Sequence, residues 1–178
     1  MDSENVKPSC LDKSIPKQRG EINLSTYAFL IAEMVIYSNK QSNDITDFKS
    51  RMAEFGRFIG VRLLDLTYYR DRNNKREVKF LEQMNFIKKY VWKSIYGKEA
   101  DKLERDYSDP LIYYIMEKDP IINKFLPNDR LNFSCAYLNA GIIEAILNES
   151  NFPCKTDIIH SDGWVYYTIK FDKSVVSK

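Results

Sequence analysis

One histidine, three cysteines and scattered carboxylates are what the chain offers for proton transfer, nucleophilic attack or metal binding. His160 stands alone. A single imidazole does not make a metal centre, which takes three or four protein ligands. Without a Ser or Cys nucleophile pattern near it, it is not an activated base either. It reads as structural or solvent-facing. Cys10, Cys135 and Cys154 are too few and too scattered for a disulfide framework or a zinc site, and read as reduced thiols of a cytosolic protein. Gly97-Lys98-Glu99 lacks the hydroxyl residue that completes a phosphate loop, and the dinucleotide, nucleophile-elbow and H-E-x-x-H patterns are missing from the sequence. The acidic pairs Asp101/Glu104 and Glu117/Asp119 lie in polar stretches. Acid–base work needs an apolar or like-charged setting to shift a carboxyl pKa, so these read as solvated charges. The expectation is a non-enzyme with no cofactor and no metal.

Charge excludes a further class. The net charge is +2, from 27 basic and 25 acidic residues, whereas a nucleic-acid footprint needs basic residues gathered on one face. The cluster Arg70, Arg72, Lys75, Arg76 is broken by Asp71 and Glu77 and reads as a solvated connection between helices. No run approaches the ~18 apolar residues of a membrane span. The polar N-terminus, interrupted by Pro8 and Pro16, has no signal-peptide core. What remains is binding. Twelve Tyr, ten Phe and two Trp supply the rings that dominate core and interface energetics.

The elements that must position those rings follow from periodicity. Residues 1–20 read as a mobile polar tail and 21–174 as one domain, a length sufficient for its own core. Ser25 is placed to cap a first helix, with Leu24 and Phe29 as a staple. Tyr27, Ala28, Ile31, Met34 and Val35 form its stripe, and Phe29, Leu30 and Ile36 lie off it. A second helix opens on Asp44 with Asp47 three residues on. Phe48, Met52, Phe55, Ile59, Leu63 and Leu66 are its stripe, while Phe58, Val61 and Leu64 lie elsewhere. Apolar residues on several faces mean burial on several faces. A third helix is expected over 76–96 with Gly97 as its left-handed terminator, then a short helix within 98–105. Leu111–Met116 and Ile121–Leu126 read as a hairpin, Asn132–Asn148 as a helix, and Thr156–His160 with Trp164–Phe171 as a second hairpin about Ser161-Asp162-Gly163. The order helix, helix, helix, hairpin, helix, hairpin gives an α+β fold, helices packed on a twisted antiparallel sheet of about four strands.

Gly56 and Gly60, one turn apart in mid-helix, cost about 1 kcal/mol each relative to alanine. Their spacing admits either a close crossing inside the domain or the approach of a partner's helix. Arg62 and Asp65 read as an intrahelical pair.

The segment Gly60-Val61-Arg62-Leu63-Leu64-Asp65 resembles a signature of the small subunits of the transport protein particle (TRAPP). Val91-Trp92-Lys93-Ser94-Ile95-Tyr96-Gly97-Lys98-Glu99-Ala100-Asp101-Lys102-Leu103-Glu104 is similar to the matching stretch of that family's subunit 5 branch. Similarity continues through 114–123, 140–147 and Phe152-Pro153, and spans about residues 20–172. The resemblance implies a subunit that pairs with homologous subunits through its first two helices and joins others end to end. It implies a vesicle-tethering complex in endoplasmic-reticulum-to-Golgi transport that promotes nucleotide exchange on a Rab GTPase. The subunit would be a cytoplasmic scaffold, peripheral at those membranes, touching the GTPase and the membrane through the assembly and self-associating when isolated. From helical position and this pairing mode, the interface falls on Tyr27, Phe29 and Leu30 of the first helix and Phe55, Gly56, Phe58, Ile59, Gly60 and Leu63 of the second. A related subunit carries an acylated cysteine after its second helix, within an apolar channel. The matching stretch here, residues 67–75, contains no cysteine. That channel and the aromatic content motivate an alternative, a domain that binds a lipid or apolar ligand between helices and sheet.

Overall fold

A computed structural model describes residues 22–70, 79–124 and 134–176. The tail expected at 1–20, Cys10, the basic connection 71–76 and the end of the run at 121–126 lie wholly or partly outside these.

The first helix, α1 (Leu24–Gln41), is capped two residues earlier than expected. The Asn23 side chain, not Ser25, accepts the Ser25 amide at 3.0 Å. Leu24 and Phe29 are both exposed, so no staple forms between them. At the start of α2 (Ile45–Arg70) the expected cap is present. Asp44 Oδ1 accepts the Asp47 amide at 2.7 Å, and Asp47 reaches back to the Asn43 amide at 3.3 Å.

The third helix is broken in register. α3 (Phe80–Phe86) runs through a π-helical turn (Ile87–Val91) into α4 (Trp92–Tyr96), which ends on Gly97 at φ +74°. The wider turn leaves the Lys88 carbonyl to accept the Ala100 amide at 3.1 Å, tying the helix to the chain beyond it.

Lys102–Arg105 is strand β1, not part of a helix. Its four residues pair antiparallel with Tyr113–Met116, and this ladder supplies what a lone turn of helix cannot nucleate for itself. The first hairpin is therefore β1 with β2 (Ile112–Lys118), one strand earlier than expected, and Ile121–Asn123 is a 3-10 turn whose Ile122 is buried. α5 (Ala136–Glu149) follows. Strands β3 (Cys154–Ser161) and β4 (Trp164–Phe171) close on Asp162 and Gly163, both at positive φ as a type I′ turn demands. A short α6 (Lys173–Val176) was not legible in the sequence.

The sheet order is β1-β2-β4-β3, antiparallel throughout. Its inner face, with Tyr113, Ile115, Tyr167, Ile169 and Phe171, packs with Trp92 and one side of α5 in the main core. A second core joins α1 and α2 to the start of α5 through Ile31, Phe48, Met52, Ile122, Cys135 and Leu138.

A chain of buried polar groups runs through the main core. Tyr96 donates to Asn139 Oδ1, and Asn139 Nδ2 donates to the Tyr167 hydroxyl at 2.9 Å. Tyr167 and the Trp92 indole then donate to Glu117 Oε2 at 3.4 and 3.3 Å. Glu117 is thus not the solvated charge its sequence setting implied, for its side chain is 0% exposed. Strand pairing turns it inward with Ile115. Its other oxygen pairs with the Lys98 ammonium, at 3.4 Å. Burial raises its pKa, against the lowering effect of Trp92 and Lys98. Burial also holds the Tyr96 and Tyr167 phenols well above their ordinary range.

Candidate partner-binding face

The packed line of α2 is Phe48, Met52, Gly56, Gly60, Leu64 and Thr67, all buried. It is not the stripe read from the sequence, and the glycines are the reason. A Cβ on Gly56 would stand 2.0 Å from the Leu138 carbonyl oxygen, one on Gly60 2.7 Å from that of Ile142, and one on Gly141 2.0 Å from that of Ala53. Three glycines thus bring the backbones of α2 and α5 into contact, with Arg57 and Glu144 paired beside the crossing at 3.1 Å. Gly56 and Gly60 therefore do not admit a partner's helix; α5 of the same chain already fills the space.

With that line turned inward, other apolar residues of α2 are turned out. Phe55, Phe58, Ile59, Leu66 and Tyr69 recur at three-, four- and seven-residue spacing, which places them along one side. Phe58 and Tyr69 are 58% and 68% exposed, and Ile59 and Leu66 lie near 40%. Arg62, in the middle, folds its guanidinium onto the Phe58 carbonyl at 2.8 Å instead of pairing with Asp65. From α1, Leu30 and Tyr37 lie seven residues apart on a side that adjoins this stripe, with the Tyr37 and Phe55 rings 6.0 Å apart. Leu30 is 56% exposed. Phe29 and Ile36 share a different side of α1 and are also exposed.

The nine residues expected at an interface therefore divide. Phe29, Leu30, Phe58 and Ile59 are exposed, while Tyr27, Phe55 and Leu63 are half-buried in contacts within the chain. Gly56 and Gly60 are buried. Sequence reasoning missed Tyr37 and Tyr69 and put Leu66 on the core stripe. On the second helix the glycine spacing was a usable signal: it marks the packed line, and Phe55, Ile59 and Leu66 each lie one residue before a member of it.

The described residues offer little chemistry. No group of three or more His, Cys, Asp or Glu among them could hold a metal ion. Cys135 and Cys154 are free and buried, and burial pushes both thiols up to about 12. His160 is exposed at the end of β3 with its pKa lowered by partial burial. No helix of the described residues is long and apolar enough to cross a membrane. The β3 edge of the sheet is also blunted. On β3 the Thr156 amide donates to Glu144 Oε2 at 3.0 Å and the Ile158 amide to Asp157 Oδ1 at 2.8 Å, so carboxylates occupy positions where another strand would bond.

Residues 27–172 match the family model described as transport protein particle (TRAPP) component. The trafficking protein particle complex subunit 5 of Gallus gallus is 36% identical over 174 residues, covering 97% of this chain and 92% of the relative. The Dictyostelium discoideum protein of the same name is 39% identical over 147 residues, covering 82% and 79%. Among solved structures, a trafficking protein particle complex subunit 3 from Naegleria fowleri, covalently bound to palmitic acid, superposes with a TM-score of 0.69. That match has 18% identity and covers 85% of this chain and 96% of that one, so it shows a shared fold.

Proposed function

The chain belongs to the TRAPP component family, and on that premise we propose that it is a non-catalytic scaffold subunit that pairs with a homologous subunit through α1 and α2. The observation that carries this reading is the outward apolar stripe of α2 continued by Leu30 and Tyr37. Scattered exposed apolar residues are normal on a protein surface, but a contiguous field of them marks an interaction site. The blunted β3 edge favours the same conclusion, since it disfavours association by strand addition there.

The pair would join further subunits end to end in a cytoplasmic complex, peripheral at endoplasmic-reticulum and Golgi membranes. That complex would tether vesicles and promote nucleotide exchange on a Rab GTPase. An exchange factor works by binding the nucleotide-free GTPase more tightly than the loaded one, and a scaffold contributes by holding that surface together. The test is co-expression with a second small TRAPP subunit, followed by light scattering after gel filtration. The native chain is expected to elute as a heterodimer. Leu30→Asp/Phe58→Asp is expected to elute unpaired with its circular dichroism and melting unchanged. A heterodimer that survives both substitutions would refute the assignment of the face.

An acyl-ligand role gains less. The related structure holds its palmitic acid covalently, whereas neither buried thiol described here presents a thiolate to acylate.

A further inference from the structure

The sheet has an outer face, turned away from the cores. The alternation that directs Tyr113, Ile115, Tyr167 and Ile169 inward puts Tyr114, Tyr166 and Thr168, all half-buried, and Met116, which is buried, on the opposite face. Strand register sets these out in rows. Tyr166 lies across from Met116 on one side and Ile159 on the other, and its ring meets that of Tyr114 edge-on at 6.3 Å. Ile159 is 52% exposed. Trp164 completes the field, with the Lys102 ammonium 5.4 Å from its ring centroid.

The row closing this field pairs Lys155 directly with Lys170. Both are exposed, and neither has an ion pair among the described residues. Like charges directly opposite each other destabilise a sheet. In the adjoining row Asp157 turns its Oδ1 to the Ile158 amide and forms no ion pair with either lysine, and the Thr168 hydroxyl is buried without a hydrogen-bond partner. Two ammonium groups without an ion pair beside a patch of rings are complementary to a ligand that brings carboxylates and an apolar side chain together.

We propose that this outer sheet face binds an acidic, aromatic-containing segment of a partner protein, its carboxylates on Lys155 and Lys170 and its ring against Tyr114, Tyr166 and Ile159. A protein segment fits better than an anionic membrane or a nucleic acid. Glu104 and Asp157 share the face with the lysines, and both of those partners call for a surface of one sign. α5 lies between this face and α2, so occupancy here is compatible with pairing through the helices.

The test uses the full chain and two labelled synthetic peptides, one alternating Glu and Phe and one alternating Gln and Phe, read by fluorescence anisotropy. The Glu peptide is expected to bind about tenfold more tightly, as one charge-assisted hydrogen bond lost would give, and to weaken with salt. Lys155→Glu is expected to abolish that preference and, by placing opposite charges across the strand pair, to raise the unfolding midpoint. Tyr166→Ala is expected to weaken both peptides. Equal binding of the two peptides, an unaltered preference in Lys155→Glu, a lowered midpoint in that variant, or binding to phosphatidylserine vesicles without binding to the Glu peptide would each overturn the proposal.

Discussion

Gly56→Ala adds one methyl group at the crossing of α2 and α5, and its cost follows from the geometry. The new Cβ would stand 2.0 Å from the Leu138 carbonyl oxygen, where ordinary contact begins at 3.4 Å. The helices must part by about 1.4 Å, and the obstacle is backbone, which cannot swing aside as a side chain would. Parting them also loosens the contacts at Gly60 and Gly141. Overpacking of this kind costs about 1–3 kcal/mol, and backbone obstruction on both sides puts this site at the upper end. Alanine returns about 1 kcal/mol of helix propensity. The net loss is about 2 kcal/mol, or roughly 4–8 °C of melting temperature for a chain of this length. Thermal and urea unfolding by circular dichroism measure it, with Phe58→Ala as the exposed control, expected within about 0.5 kcal/mol of the native chain. Gly141→Ala should cost a similar amount, and the double variant less than the sum, because helices already parted accept the second methyl more easily. A Gly56→Ala melting temperature equal to or above the native one would refute the close crossing.

Three further predictions concern buried polar groups. Glu117 has a folded pKa raised above its unfolded value, so its contribution is fully present below the unfolded pKa and is lost as pH rises through the folded one. Glu117→Gln should therefore gain stability relative to the native chain between about pH 4 and neutrality; parallel urea midpoints at both ends of that range would contradict this. Asn139→Leu removes one hydrogen bond from each of Tyr96 and Tyr167, while Tyr167 keeps Glu117, and should cost about 0.5–1.5 kcal/mol for each bond lost; an unchanged urea midpoint would contradict this. With thiols pushed up to about 12, Cys135 and Cys154 should resist Ellman's reagent at pH 8 in the native chain and react in urea; fast native reaction at either would contradict their burial.

The order of elements was legible because helical and strand periods differ strongly along this chain, and turn chemistry at Gly97 and Asp162-Gly163 fixed two boundaries. The errors arose where tertiary pairing overrode local pattern. Lys102–Arg105 has the charge spacing of a helical turn and becomes a strand because Tyr113–Met116 pairs with it. Glu117 looks solvated among Lys118 and Asp119, but strand alternation turns it inward to Trp92 and Tyr167. On α2 the apolar residues outnumber the positions of one face, so composition alone could not say which stripe was core. The glycines could, since backbone contact with α5 fixes the inward direction. Leu30, Phe58 and Ile59 are exposed, as are Tyr37 and Tyr69, which were not singled out because tyrosines near a helix end read as ordinary amphipathic surface.

The position of β4 has a consequence for how the molecule comes to be. It is the last of the four strands in chain order, yet it lies inside the sheet, between β2 and β3. During synthesis the β1–β2 hairpin emerges with one edge unsatisfied, and it must wait for α5 and β3 to be made before its neighbour arrives. Long-range pairing of this kind slows folding. Through that interval the core-facing residues of α2, Phe48, Met52 and Leu64, lack the finished domain they pack into, and such exposed surface drives aggregation. A ribosome-bound nascent chain stalled before Trp164 should therefore be sensitive to protease and prone to capture by chaperones, and one extended past Phe171 should be protected.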